Sequence, residues 1–202
     1  WKADYQMWQE FEQINERRRA PKLPTENPLL PLLGKIEGGE IEAWIEVNHR
    51  LLSREQNWFE TDLTALTGWQ QADKTIHKRM ISAALNYVHL GEPQTDQWIG
   101  SNLIFPSAFA GYRALCLLLK EAPEKIAQLT NELWQKWSPI IVTFPLSSFD
   151  AAQSNSPHQT LTKLAYRHAP EIIIQTLISH IECKNAGGDW LWRNAQPGSG
   201  RR

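Results

Sequence analysis

The apolar positions of this chain recur at intervals of three and four, which is the spacing of helices and not of strands. Trp8, Phe11 and Ile14 open the pattern, and the stretch closes on Arg17, Arg18 and Arg19, whose charges suit the negative end of a helix dipole. A first helix is therefore predicted from Asp4 to about Arg19. Pro21, Pro24, Pro28 and Pro31 follow. Each proline lacks an amide donor and disfavours helix in the residue before it, so these positions predict an extended connector, with Leu29, Leu30, Leu32 and Leu33 laid along a groove. After Gly38 and Gly39, the residues Ile41, Trp44, Ile45, Leu51 and Leu52 mark one face of a second helix, with Glu40, Glu42, Glu46 and Arg50 mostly elsewhere on it. Asp73 is the expected N-cap of the next helix, on which Ile76, Met80, Ala83, Ala84, Tyr87 and Val88 recur until Gly91 and Pro93 end it.

Pro106 and Ser107 open a helix from Ala108 to Lys120 that is apolar almost all round, through Phe109, Tyr112, Leu115, Cys116, Leu117, Leu118 and Leu119. Such a helix belongs at the centre of a fold. Gly111 costs it about 1 kcal/mol of propensity relative to alanine, so a neighbouring helix is expected to pass close there. After Pro123 the pattern becomes one-sided: Ile126, Leu129, Leu133, Trp134 and Trp137 face in, and Lys125, Gln128, Glu132 and Lys136 face out. The two segments predict an α-hairpin. A polar cluster from Ser147 to Pro157 separates it from a second hairpin, built on Leu161, Leu164 and Ala165, then Pro170, Ile173, Ile174, Leu177, Ile178 and Ile181. Ala122, Pro123, Glu124, Ile126 and Gln128 match Ala169, Pro170, Glu171, Ile173 and Gln175 at a constant offset of 47 residues. That offset sits at the upper end of the ~40–47-residue period of HEAT and armadillo repeats. An Ala, Pro, Glu string also suits any helix start. The expected fold is all-α, made of antiparallel helical hairpins arranged either as a HEAT-like repeat or as an irregular helical bundle. It divides into an N-terminal helix and proline-rich connector (1–37), a helical-hairpin domain (38–193) and a linker or tag (194–202).

Composition narrows the partners. Lys and Arg number 21 against 22 for Asp and Glu, so no net field draws in phosphate backbones or anionic lipid, and nucleic acid is not an expected partner. The longest apolar run, Ala114 to Leu119, is far short of the roughly 20 residues that cross a bilayer. Cys116 and Cys183 have neither disulfide-framework nor zinc spacing, which fits a reducing, cytoplasmic location. A start at Trp1 without a signal segment reads as an excised piece of a larger polypeptide, and the final Pro197 to Arg202 read as linker or expression scar.

The chemistry-bearing patterns are thin. Gly34 and Lys35 lack the upstream glycine and the following Ser or Thr of a phosphate-binding loop, and Ser199 lies between glycines but outside a strand-to-helix elbow. Glu46 and His49 are spaced like half of a helical di-iron ligand set with no second copy. Asp73 and His77 stand one turn apart, as a capping aspartate and a partly exposed histidine would. His168 and His180 occupy unrelated positions on neighbouring helices. Cys116, among Leu115, Leu117 and Phe109, is expected to be desolvated and unreactive. Arg113 is expected to reach solvent or to pair with a carboxylate. No catalytic residue, cofactor or metal is predicted. Ten tryptophans remain. Trp69 and Trp98 are expected to fold their loops over the core, Trp58 stands off the helices, and Trp134, Trp137, Trp190 and Trp192 are the interface candidates, the last two docking onto whatever follows.

One likeness adds to this. Asp62, Leu63, Thr64, Ala65, Leu66, Thr67, Gly68 and Trp69, the helix ending Ala83, Ala84, Leu85, Asn86, Tyr87, and the run Ala110, Gly111, Tyr112, Arg113, Ala114, Leu115, Cys116, Leu117, Leu118, Leu119 form a pattern. Together they resemble the helical region downstream of the nucleotidase in large bacterial signal-transducing ATPases, the NACHT-like members of the STAND class, several of which look like antiviral defence proteins. The similarity spans roughly Gly38 to Trp137 and includes no catalytic motif. It implies an ATPase N-terminal to this segment, and helices that form a scaffold contacting other domains of the same polypeptide or a protein partner. Two other classes stay open: an all-α enzyme whose polar cleft would use Glu46, His49, Asp73 and His77, and a module that binds ligands through its loop tryptophans.

Overall fold

The computed structural model describes residues 27–53, 57, 59–99, 105–144 and 156–186. The helix predicted from Asp4, Pro21, Pro24, Trp58, Ser147 to Ser154, Trp190, Trp192 and the 194–202 tail lie outside the described residues. In chain order the elements are α1 (Leu29–Glu37), α2 (Ala43–Leu51), a 3-10 turn (Leu63–Ala65), α3 (Thr67–Gln70), α4 (Lys74–Leu90), α5 (Thr95–Trp98), α6 (Pro106–Glu121), α7 (Pro123–Ile126), α8 (Asn131–Thr143), α9 (Pro157–His168) and α10 (Pro170–Ala186). No strand occurs among the described residues, and the fold is all-α.

The centre is α6. Every residue from Ser107 to Leu118 is buried, because α2, α4, α8 and α9 all pack on this one helix. Proline at its first position supplies the fixed φ of a helix start where no amide is needed. Gly111 lies where α8 crosses: a Cβ built on it would fall inside the Trp137 ring, on Cζ3 and Cη2. The close neighbour expected from the sequence is thus an indole. Three aromatic donors tie the layers together. The Trp44 indole donates to the Ala110 carbonyl at 3.0 Å, the Tyr87 hydroxyl to that of Ser107 at 3.1 Å, and the Trp137 indole to that of Val88 at 2.8 Å. Val88 and His89 end α4, where carbonyls have no intrahelical donor. Trp137 and the preceding Lys136, whose Nζ donates to the His89 carbonyl at 2.9 Å, satisfy them from α8.

The segment read as an extended connector is partly a helix. Pro28 occupies the N-cap of α1 and Pro31 its first turn, positions whose amides would be unpaired in any helix, so neither proline opposes the structure. Asn27 instead accepts the Leu29 amide on its side chain at 3.0 Å. Leu29, Leu33 and Ile36 then bury one face against α2 and α4, and Glu37 holds Arg79 of α4 through two bonds of 2.7 and 2.9 Å.

The 47-residue correspondence appears as a shared hinge. Ala122 (φ −149°, ψ 57°) and Ala169 (φ −144°, ψ 52°) break the chain identically between helices, each amide bonding the carbonyl four residues back. Beyond the hinge the units part. After Pro123 the helix stops at Ile126 and turns before α8 begins, whereas after Pro170 it runs on to Ala186. The offset therefore describes two equivalent corners and not two whole equivalent hairpins. α9 packs across α8 and α6, and α10 lies against α8 and α9.

Candidate functional site

The ionisable groups singled out in the sequence are spent on structure. On α2, Glu46 Oε1 accepts from Arg50 Nε at 2.8 Å while Oε2 stands 3.6 Å from His49 Nδ1, all at the helix surface. Asp73 caps α4, accepting the Thr75 and Ile76 amides at 2.8 Å each. His77, one turn on, does not turn to that carboxylate. Its ring stacks on Trp69 with centroids 4.1 Å apart, and its Nε2 lies 2.9 Å from the Trp69 carbonyl. Trp69 and Trp98 are both buried, as expected, but they sit in the short helices α3 and α5 and not in loops; the Trp98 indole donates to the Pro93 carbonyl at 2.7 Å. His168 stacks over Trp134 at 5.6 Å and meets the Asn131 side chain at 3.0 Å. Among the described residues, no three His, Cys, Asp or Glu side chains converge as a metal site would require.

Around α6 the polar groups are enclosed. Arg113 does not reach solvent. It is 1% exposed, its Nε donates to the Glu60 main-chain carbonyl at 2.8 Å, and its guanidinium lies 4.0 Å over the Phe109 ring. Burial draws its pKa down to about 10, opposed by the negative charge of Glu60, so it stays charged at neutral pH. Desolvation pushes the Cys116 thiol up to about 12, far from the thiolate that nucleophilic chemistry needs. Native-state labelling with a maleimide is accordingly expected to modify the exposed Cys183 and to reach Cys116 only as fast as the chain unfolds globally. Prompt labelling of both thiols would refute this placement.

The Tyr112 hydroxyl lies 2.9 Å from His158 Nδ1, linking α6 to the first turn of α9. Burial lowers the His158 pKa below its ordinary 6.5. The unfolded chain then takes up a proton before the folded one, so the stability contributed by neutral His158 is lost as pH falls below about 6.5. His158→Asn, which keeps an acceptor but cannot be charged, is expected to flatten the fall in urea midpoint as pH drops below about 6.5. An unchanged slope would remove His158 as its source.

The interface candidates divide. Trp134 (1% exposed) and Trp137 (0%) are enclosed by this chain's own helices and present no outward surface, because the one-sided pattern after Pro123 marks the inner face of α8. Trp190 and Trp192 lie outside the described residues. Among the described residues, an exposed apolar stripe lies on α10. Ile174 (50%), Leu177 (40%), Ile178 (50%) and Ile181 (46%) are exposed at i, i+3, i+4 and i+7, one stripe of a helix. Ala169, Ile173 and Thr176 are the buried set. The apolar pattern of the second hairpin named Ile173, Ile174, Leu177, Ile178 and Ile181 together, without dividing them between an inner and an outer side. The overlooked signal is that α10 carries apolar residues around more than half its girth, enough for two stripes where one packed side needs only one. Glu171 and Glu182 fall beside the outer stripe at 100° per residue. The remaining large exposed apolar residues, Leu30, Phe59, Leu90 and Tyr166, stand singly on separate segments. Among the described residues, no helix is long and apolar enough to cross a membrane. Searches of family models, of curated proteins and of solved structures return no match for this chain.

Proposed function

We propose that this chain is a non-catalytic helical scaffold, a regulatory segment of a larger signal-transducing NTPase of the NACHT-like STAND class, working in the bacterial cytoplasm through protein contacts. The observation that carries the reading is the outer stripe of α10: four aliphatic side chains at helix-packing spacing, exposed where the other apolar helix faces among the described residues are closed. Such a stripe is what a further helix packs on. Two facts support the absence of chemistry. The ionisable candidates are engaged as caps, stacks and surface pairs, and the thiol within the core is held neutral. The residues that carry the STAND likeness fall on the 3-10 turn, α3, α4 and α6, the packed centre, so the likeness concerns the body that holds the contact face in place.

The test is the coding sequence upstream of Trp1, combined with an ATPase assay on the chain itself. A nucleotide-binding motif in frame upstream and no turnover by this segment are expected. A start codon adjoining Trp1, or hydrolysis by the isolated chain, would overturn the proposal.

A further inference from the structure

We propose that the outer stripe of α10 receives a partner helix whose own apolar stripe is flanked by lysine or arginine. This names the chemistry of the contact proposed above and rests on that reading.

Three considerations select this occupant. The first is the shape of the acceptor. Ile174 and Ile181 stand about 10.5 Å apart along the axis, with Leu177 and Ile178 between them, and the four exposed side chains cover about 100° of the helix girth. A straight, narrow ridge of this kind interdigitates with the side-chain rows of another helix.

The second is charge. Glu171 and Glu182 lie about three turns apart and within about 20° of each other around the axis, so they stand on one flank and bracket the stripe at both ends. Both are exposed, and neither has an ion pair or hydrogen bond among the described residues. Glu37, Glu46 and Asp62, by contrast, hold Arg79, Arg50 and Lys120 of this chain. Cations on the partner would complete the flanking pairs that fix partner choice and register when two helices lie together.

The third is what the acidic flank disfavours. An anionic lipid surface would bring phosphates against the two glutamates, where helices that lie on such surfaces carry Lys and Arg. Antiparallel pairing with a second copy would set Glu171 of one α10 beside Glu182 of the other. The stripe alone is also well short of the ~800 Å² per partner of a stable protein–protein interface, so the flanking charges decide which helix is held.

Isoleucine methyl spectra of the 202-residue chain, titrated at low salt with designed helical peptides, provide the test. Two peptides share one leucine stripe at i, i+3, i+4 and i+7; one carries lysine on both flanks and the other glutamate. The δ1 methyls of Ile174, Ile178 and Ile181 are expected to shift with the lysine peptide while Ile173, buried beneath, stays put. The glutamate peptide is expected to bind roughly tenfold more weakly, because two attractive flanking pairs have become repulsive. Glu171→Lys/Glu182→Lys should reverse the order. Glu182→Lys alone, in the last turns where the helix dipole favours a cation, should abolish the preference without harm to folding. Equal affinities for the two peptides, or no methyl shift with either up to about 1 mM, would overturn the proposal. So would shifts that follow the concentration of the chain without peptide, which would assign the stripe to a second copy. Each of these results concerns only the occupant. The scaffold reading fails separately, if Leu177→Glu/Ile178→Glu leaves the turnover of the whole polypeptide unchanged.

Discussion

Gly111→Ala lowers the unfolding free energy by about 2 kcal/mol or more, reversing the ~1 kcal/mol that alanine ordinarily gains over glycine inside a helix. The added methyl would occupy the space of Trp137 Cζ3 and Cη2. That ring is fully buried and held by its bond to the Val88 carbonyl, so it has no free direction in which to yield. Urea unfolding followed by circular dichroism measures the loss. The same substitution in a Trp137→Leu background should be neutral or stabilising, because the atoms it collides with are gone. Trp137→Leu alone costs several kcal/mol from the cavity and the lost donor, so the cycle should show coupling of about 2 kcal/mol or more. Equal effects of Gly111→Ala in both backgrounds would mean that α6 and α8 do not meet there.

Arg113→Ala is the second large effect, a loss of about 3 kcal/mol. The side chain is enclosed, stacked on Phe109, and donates to the Glu60 carbonyl. Truncation removes the packing and strands that carbonyl. Arg113→Met retains most of the volume and should lose about 1 kcal/mol, the cost of leaving a partly buried acceptor without this donor. The order Ala, then Met, then wild type in urea midpoint is the expected outcome. An Arg113→Met variant as stable as wild type would show that the bond to Glu60 contributes nothing net.

Local rules made much of the fold legible. Asp73 sits where a carboxylate accepts the first amides of a helix, Cys116 lies inside an unbroken apolar run, and Gly111 breaks helix propensity where an indole presses against it. Each is a short-range statement. The failures concern position in the assembled body. Pro28 and Pro31 read as helix-breaking because a proline's effect depends on whether it falls in the first turn or the interior, and only the burial of Leu29, Leu33 and Ile36 decides that α1 forms around them. Trp134 and Trp137 were candidates for an interface because tryptophan anchors contacts between chains and within them alike. The one-sided pattern after Pro123 already turned both rings inward, and the chain's own helices cover that side. On α10 the pattern is not one-sided, so it does not say which side a neighbour takes. Ile173 and Ile174 are neighbours in sequence, yet one is buried and the other half-exposed, and the difference comes from where α8 and α9 lie.

On the proposed reading of this chain as part of an NTPase that it serves by contact, nucleotide turnover by the intact polypeptide is the most direct test. Two variants are compared: Glu46, His49, Asp73 and His77 all replaced by alanine, and Leu177→Glu with Ile178→Glu on the exposed face of α10. The first should lose some stability with the Asp73 cap, about 1 kcal/mol, and keep wild-type turnover once folded. The second should fold as wild type and change turnover severalfold. Loss of turnover in the folded alanine variant, with the α10 variant unaffected, would contradict the account.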